Sequence, residues 1–229
     1  MQPPILITGA ARSGTSLVAG IVNLCGAFGG VMSGPNSNNK KGMFENQEIR
    51  NRIVKPYLVS IGADRMGQNP LPDIARVRDS IPTEAARIRN AVLGIMERQG
   101  YSGGPWFYKG AKLCLLWPLW HAAFPDARWI ILRRPDDDII ASCLRTSFMR
   151  AYHTADGWRT WLSAHKLRFD EMADVGCDIR VVWSNDVVTG RHATMHAIAA
   201  CCGLRWNKQR VDAFVDPSLW HAPTEKVRT

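Results

Sequence analysis

The chain has 229 residues, 46% of them apolar and 21% charged, which is enough for one well-buried domain and excludes disordered and fibrous classes. Lysine and arginine outnumber aspartate and glutamate 29 to 20, and the resulting net charge of +9 suits a polyanionic partner such as a nucleotide, a nucleic acid or an acidic surface. The longest apolar runs are too short for a membrane span and no signal-peptide core opens the chain, so a soluble, cytoplasmic protein is expected. Six cysteines, Cys25, Cys114, Cys143, Cys177, Cys201 and Cys202, lie in apolar stretches without CxxC spacing. That pattern fits buried free thiols in a reducing compartment and no structural metal.

Ile5-Leu6-Ile7 is a strand-like run that ends in Thr8-Gly9-Ala10-Ala11-Arg12-Ser13-Gly14-Thr15-Ser16, after which Leu17, Val18, Ile21, Val22 and Cys25 recur at helical spacing. The reading is strand, tight loop, helix. A Gly- and Asn-rich loop runs from Gly26 to Gly42, followed by a helix expected from about Glu45 to Ile61 and by a turn region around Pro70 and Pro72. Ala85 to Arg98 reads as a helix, Trp106-Phe107-Tyr108 and Trp129-Ile130-Ile131-Leu132 as strands buried on both faces, with a helix between them ending near Phe124-Pro125. Pro135-Asp136-Asp137-Asp138 opens another helix, since proline fits the first turn and carboxylates favour the positive end of the helix dipole. That accounts for the three aspartates without a metal. Trp158, Trp161, Leu162, Phe169 and Met172 mark a long amphipathic helix, Ile179 to Trp183 a last strand, and Met195, Ile198, Ala199 and Cys202 a further helix. Strands alternating with helices predict an α/β domain of the P-loop type: three layers, with a central parallel sheet of four or more strands covered on both faces. No repeat or composition shift divides residues 1–229, and 63–100 reads as a helical insertion or lid within the one domain.

Gly9-Ala10-Ala11-Arg12-Ser13-Gly14 has the G-x-x-x-x-G spacing of a phosphate-binding loop in the required context, after a strand and before a helix. It departs from nucleoside triphosphatases twice. Thr15 stands where their phosphate-neutralising lysine would be, the cation having moved into the loop as Arg12, and the strand Trp129 to Leu132 ends in Arg133-Arg134 where an aspartate would hold Mg²⁺. Phosphate binding without metal-assisted triphosphate chemistry is the expectation. Arg134 and Ser142, eight residues apart across a strand end and the next helix, can converge on a second anion.

Together these segments resemble the sulfotransferases that use 3′-phosphoadenosine 5′-phosphosulfate (PAPS), in their compact bacterial and viral-type form. In that family a loop matching Arg12-Ser13-Gly14-Thr15-Ser16 holds the 5′-phosphosulfate, and an Arg and Ser spaced like Arg134 and Ser142 hold the 3′-phosphate. Tyr108-Lys109-Gly110-Ala111-Lys112, Asn39-Lys40-Lys41-Gly42-Met43-Phe44-Glu45-Asn46 and Phe214-Val215-Asp216-Pro217-Ser218-Leu219-Trp220-His221 are similar to further family segments. The resemblance implies PAPS as donor, 3′-phosphoadenosine 5′-phosphate (PAP) as product, no metal, and a small-molecule or saccharide acceptor, with no nucleic acid and no membrane span. Ala11, Arg12, Ser13, Gly14, Thr15, Ser16, Arg134 and Ser142 would bind the donor, while Arg12, Lys109 and Glu45 would carry catalysis. The histidine base of animal relatives is absent, for Lys109 is followed by Gly110-Ala111; Leu17 replaces their adenine-stacking Trp, and Ser184, beside Trp183, stands where they place a Tyr.

Ordinary readings stay open beside these. Lys109 fits a solvated lysine at a sheet edge, and Glu45 fits an acid favoured in the first turn of any helix, though a carboxylate in a closed pocket also serves as a base. His121 is the second candidate base, on an exposed helix position; His165 fits packing, and His192 with His196 have i, i+4 spacing but no third ligand. Arg76, Arg78, Arg87, Arg89 and Arg98 fit solvated helix faces or a lid admitting an anionic acceptor. Two rival functions remain at this point: a P-loop small-molecule kinase, and a non-catalytic nucleotide or nucleic-acid binder that lost its base.

Overall fold

In a computed structural model of the chain, which describes residues 1–220, four strands form one parallel sheet in the order β2-β1-β3-β4. These are β1 (Ile5–Gly9), β2 (Phe107–Lys109), β3 (Arg128–Arg133) and β4 (Asp178–Trp183). Ile7 pairs with Lys109 on one side and with Ile130 on the other, so β1 is central. The chain crosses from β1 to β2 on one side and then returns to β3 on the other. The loop after β1 therefore opens at the point where strand order reverses, where doubly wound sheets leave a crevice for ligands.

The helices in chain order are α1 (Thr15–Leu24), α2 (Gln47–Ile49), α3 (Lys55–Ser60), α4 (Ile74–Asp79), α5 (Ile81–Arg98), α6 (Trp117–Ala123), α7 (Asp136–Arg145), α8 (Ala155–Asp174), α9 (Ser184–Val188), α10 (Ala193–Cys201) and α11 (Lys208–Phe214). Side chains alternate across a strand, and this sorts the core into two halves. Leu6, Tyr108, Trp129 and Ile131 face α3, α4, α5 and α6, whereas Ile5, Ile7, Phe107, Ile130 and Leu132 face α1, α10 and α11. Full burial of side chains this size contributes about 1.5–3 kcal/mol each. The 63–100 segment adds Val77, Ile88, Val92 and Met96 to the first half. Ile139, Cys143, Trp158 and Trp161 tie α7 to α8 in a smaller cluster under the phosphate loop residue Ala10.

Three local expectations change. The helix expected from Glu45 starts at Gln47, because the Asn46 side chain accepts from the amides of Glu48 and Ile49, both at 3.2 Å, and takes the cap. It is also interrupted by a π turn over Arg50–Val54, closed by the Lys55 amide on the Arg50 carbonyl. The next residue is Pro56, which cannot donate the following hydrogen bond, so the wider turn falls where the regular ladder is already broken. The helix expected from Ala85 begins at Ile81, with Pro82 in its first turn. At the edge strand β4 only one face is fully covered: Val182 is buried with the α10 residues, while Val181 and Trp183 on the other face are 44% and 49% exposed.

Candidate active site

The segment after β1 folds as a cradle. Arg12 and Gly14 both take positive φ, 73° and 100°, and a Cβ on Gly14 would lie 2.8 Å from the Ser184 Cβ and 3.0 Å from the Trp220 ring. Glycine is required there by conformation and by space. Gly14 ends the loop as the N-cap of α1, whose first turn holds no acidic residue, so its unpaired amides and dipole present uncompensated positive potential. Ser13 is fully buried with its hydroxyl unpartnered among the described residues. Ser16 donates to the Met43 carbonyl at 3.2 Å and ties the loop to the 39–44 segment.

The second anion motif meets the first. Arg12 Nε donates to Ser142 Oγ at 2.9 Å, and Arg134 Nη1 donates to the Arg12 carbonyl at 3.2 Å. Arg134 is 6% exposed; Asp138 holds its Nε at 3.4 Å and the Trp220 ring centroid lies 4.1 Å from its guanidinium carbon. Burial lowers the pKa of both arginines; Asp138 opposes this at Arg134, and at Arg12 Cys143 opposes it while Arg145 adds to it. Around them opens a cavity of about 210 Å³ lined by Arg12, Gly14–Leu17, residues 37–41, Arg134, Ser142, Phe214 and Trp220.

Lys109 ends β2 and is 3% exposed, which removes the solvated-edge reading even though β2 is an edge strand. Burial holds its ammonium below the ordinary lysine range; Glu45 opposes this, and Lys112, Arg50 and Arg12 reinforce it. Glu45, 5% exposed, precedes the Asn46 cap, so the first-turn reading does not apply. Its carbonyl accepts from the Ser33 amide at 3.0 Å, and its carboxylate lies 3.8 Å from Arg50 Nη1. The loop positions this acid, and its negative charge acts on Lys109.

The chain matches the family model described as the Sulfotransferase family over residues 3–208. It belongs to that family. Two solved structures share its fold: the sulfotransferase domain of the Synechococcus PCC 7002 olefin synthase, 15% identical, with a TM-score of 0.59 over 97% of this chain and 90% of that one, and the sulfotransferase STF1 of Mycobacterium tuberculosis, 14% identical, with a TM-score of 0.57 over 93% and 71%. No curated protein gives a significant sequence match.

The other sequence candidates of this sulfotransferase lie elsewhere. His121 is on α6, half-buried, with Nδ1 3.7 Å from the thiol of Cys177, the residue just before β4. In a parallel sheet that is the end opposite the phosphate loop, so His121 is removed as a base. His165 is buried, its Nδ1 2.8 Å from the Trp161 carbonyl, and burial pulls its pKa down to about 4. His192 and His196 both pack edge-on against Trp206, and His192 faces the Val187 carbonyl at 2.9 Å. Arg87 and Arg98 pair with Glu84 and Glu48, Arg78 with Glu171, while Arg76 and Arg89 donate to the carbonyls of Ile61 and Ala123. No helix among the described residues is long and apolar enough to cross a membrane. His221 lies outside the described residues.

Sequence reasoning missed three contributors. Asp138 sits four residues after Arg134, a spacing that could have suggested the pair. Asn46 carried a cap signature before Gln47-Glu48, and besides capping α2 it donates to the Gly29 carbonyl at 3.1 Å. Trp220 reaches Arg134 only through the tertiary fold, anchored by its Nε1 donating to Asn185 Oδ1 at 3.1 Å.

Proposed function

We propose that this sulfotransferase moves a sulfuryl group from PAPS to a hydroxyl or amine of a small-molecule or saccharide acceptor by metal-independent in-line displacement. The junction of Arg12, Ser142 and Arg134 carries the reading, because it joins two anion-binding motifs in one cavity. The donor set fits a bisphosphorylated nucleotide: a helix N-terminus and loop amides for one phosphate, a buried arginine and a serine for the other, and the orphaned Ser13 hydroxyl in the loop between them. PAPS, when bound, supplies a sulfuryl group on its 5′-phosphate and leaves as PAP.

In this reading the Ser13 hydroxyl and the amides of Gly14, Thr15 and Ser16, continuing from Ala11, surround the 5′ end. Arg134 and Ser142 take the 3′-phosphate. Glu45 accepts the acceptor's proton as the acceptor oxygen attacks sulfur, and the electron pair of the breaking S–O bond passes to the 5′-phosphate oxygen. Arg12 and Lys109 stabilise the charge that grows on that oxygen. Fixed donors at a developing charge lower the barrier because they need no reorganisation. Lys109, buried at the end of β2 and under the opposing influence of the Glu45 charge, is suited to that place.

Titration with PAP, beside ATP with and without Mg²⁺, tests the donor. A ligand that binds only the folded chain raises its stability with concentration, so PAP should raise the melting temperature without metal and exceed ATP. A preference for Mg·ATP would make the chain a kinase instead. Glu45→Gln should keep PAP affinity and abolish transfer; a surviving rate would take the base away from Glu45.

A further inference from the structure

Lys41 stands four residues before Glu45, at the point where the chain leaves the donor cavity. Residues 37–41 line that cavity with Arg12, Ser16, Arg134 and Ser142, and Lys40 and Lys41 are the cations they bring to it. Lys41 is exposed and forms no hydrogen bond or ion pair among the described residues. Its Nζ lies 5.7 Å from the centroid of the Phe214 ring, itself part of the cavity wall.

The two arginines do not balance the proposed donor by themselves. A nucleotide with a 3′-phosphate and a 5′-phosphosulfate carries about four negative charges, since one phosphate monoester alone carries about 1.5–2 near neutral pH. Against these stand Arg12 and Arg134, the second already paired with Asp138 at 3.4 Å, and the wall adds the carboxylate of Asp216. The lysines of the 37–41 loop supply the missing charge.

From Lys41 the chain runs as a short strap to Glu45, free at its first end and seated at its last. The amides of Met43 and Phe44 donate to the Ser33 carbonyl at 3.0 and 3.2 Å, and the Met43 carbonyl accepts from Ser16 of the phosphate loop. Phe44 has φ of 50°, a left-handed conformation that a bulky residue keeps only where its surroundings impose it. Its ring meets Phe214 edge-on at 5.7 Å between centroids. Both rings sit on α1 at Gly20, where a Cβ would collide with Phe214 Cζ and lie 3.1 Å from Phe44 Cε2. Phe214 therefore touches the strap twice, at Lys41 and at the residue before Glu45.

We propose that Lys41 binds the phosphate groups of the donor and thereby acts as a positioning residue for Glu45, fixing the strap that carries the acid. This role rests on the donor reading above and adds a physical link from the nucleotide to the proton acceptor. With the nucleotide bound, Glu45 is held from both sides, by the Asn46 cap that follows it and by an anchored lysine that precedes it.

The test joins calorimetric titration with PAP to amide hydrogen exchange, in the wild type, Lys41→Gln and Lys41→Arg. Losing one charge-assisted contact should weaken PAP by about tenfold in Lys41→Gln, and Lys41→Arg should restore most of the affinity. Saturating PAP should slow exchange in residues 12–18 of all three proteins, which shows that each is folded and occupied. In residues 41–46 it should slow exchange in the wild type and Lys41→Arg but not in Lys41→Gln. Equal PAP affinity in the wild type and Lys41→Gln, or the same response of residues 41–46 in both at saturation, would overturn the proposal and leave the donor reading standing. A wild type that does not bind PAP at all would overturn the donor reading, and this role with it.

Discussion

The two cationic regions of the site are built in opposite ways. At the donor cavity each arginine arrives already held: Arg134 by Asp138 and the Arg12 carbonyl, Arg12 by Ser142. At the end of β2, Lys109 is 3% exposed and its side chain makes no hydrogen bond or ion pair among the described residues. Bonds made in advance fix the direction of a donor and suit a ligand of constant shape, because little ordering remains for binding to do. Unbonded ammonium groups fix only the sign of the charge they accept. The first region suits a ligand of fixed shape, whereas the second sets the sign of a charge and not its direction.

The comparison is broken or sharpened by substitutions on each side. The largest effect is expected at Lys109→Ala, where transfer should slow by about 10²–10³ with PAP affinity retained; single-turnover kinetics would measure it, and an unchanged rate would place Lys109 outside the chemistry. His165 belongs to neither region and supplies the control. Its pKa near 4 lies below the ordinary 6.5, so between these values the unfolded chain binds the proton and the folded chain does not. Stability from this group is complete above pH 6.5 and is lost as pH falls toward 4, by up to about 3 kcal/mol. Urea unfolding at several pH values should show that slope, and His165→Asn should flatten it. Arg134→Ala should weaken PAP by about 10- to 100-fold, with far less effect on 5′-AMP; equal losses would remove the 3′-phosphate assignment. The smallest effect should be at Asp138→Ala, weakening PAP by about fivefold, or about 1 kcal/mol, if Asp138 acts by orienting Arg134. Tighter binding would mean that Asp138 acts only as a neighbouring negative charge.

The parts legible in the sequence were those whose cause is local. The β1 run, the glycine spacing and the cation inside the loop are contiguous, and Arg134 with Ser142 lie within one strand-helix step. The π turn was hidden because it reflects how Pro56 and Arg50 are accommodated within one helical run, and periodicity does not register an extra residue in a turn. Glu45 was placed in the right region but on the wrong element, since the Asn46 cap outcompeted it for the helix start. Trp220 over Arg134 depends on segments far apart in the chain, so no spacing announces it. The same holds for His121: its helix was found, but which end of the sheet it reaches follows from strand direction.

The register of β1 also fixes an order of events in synthesis. Its partners lie in Phe107–Lys109 and Arg128–Arg133, roughly a hundred residues further along, and such distant pairings form late because a long loop must close first. The phosphate loop therefore emerges early but has no walls until β3 follows it. A nascent chain stopped before Arg134 would carry the whole loop sequence and still lack the arginine that packs against it, so the proposed nucleotide could be held only by chains extended beyond β3.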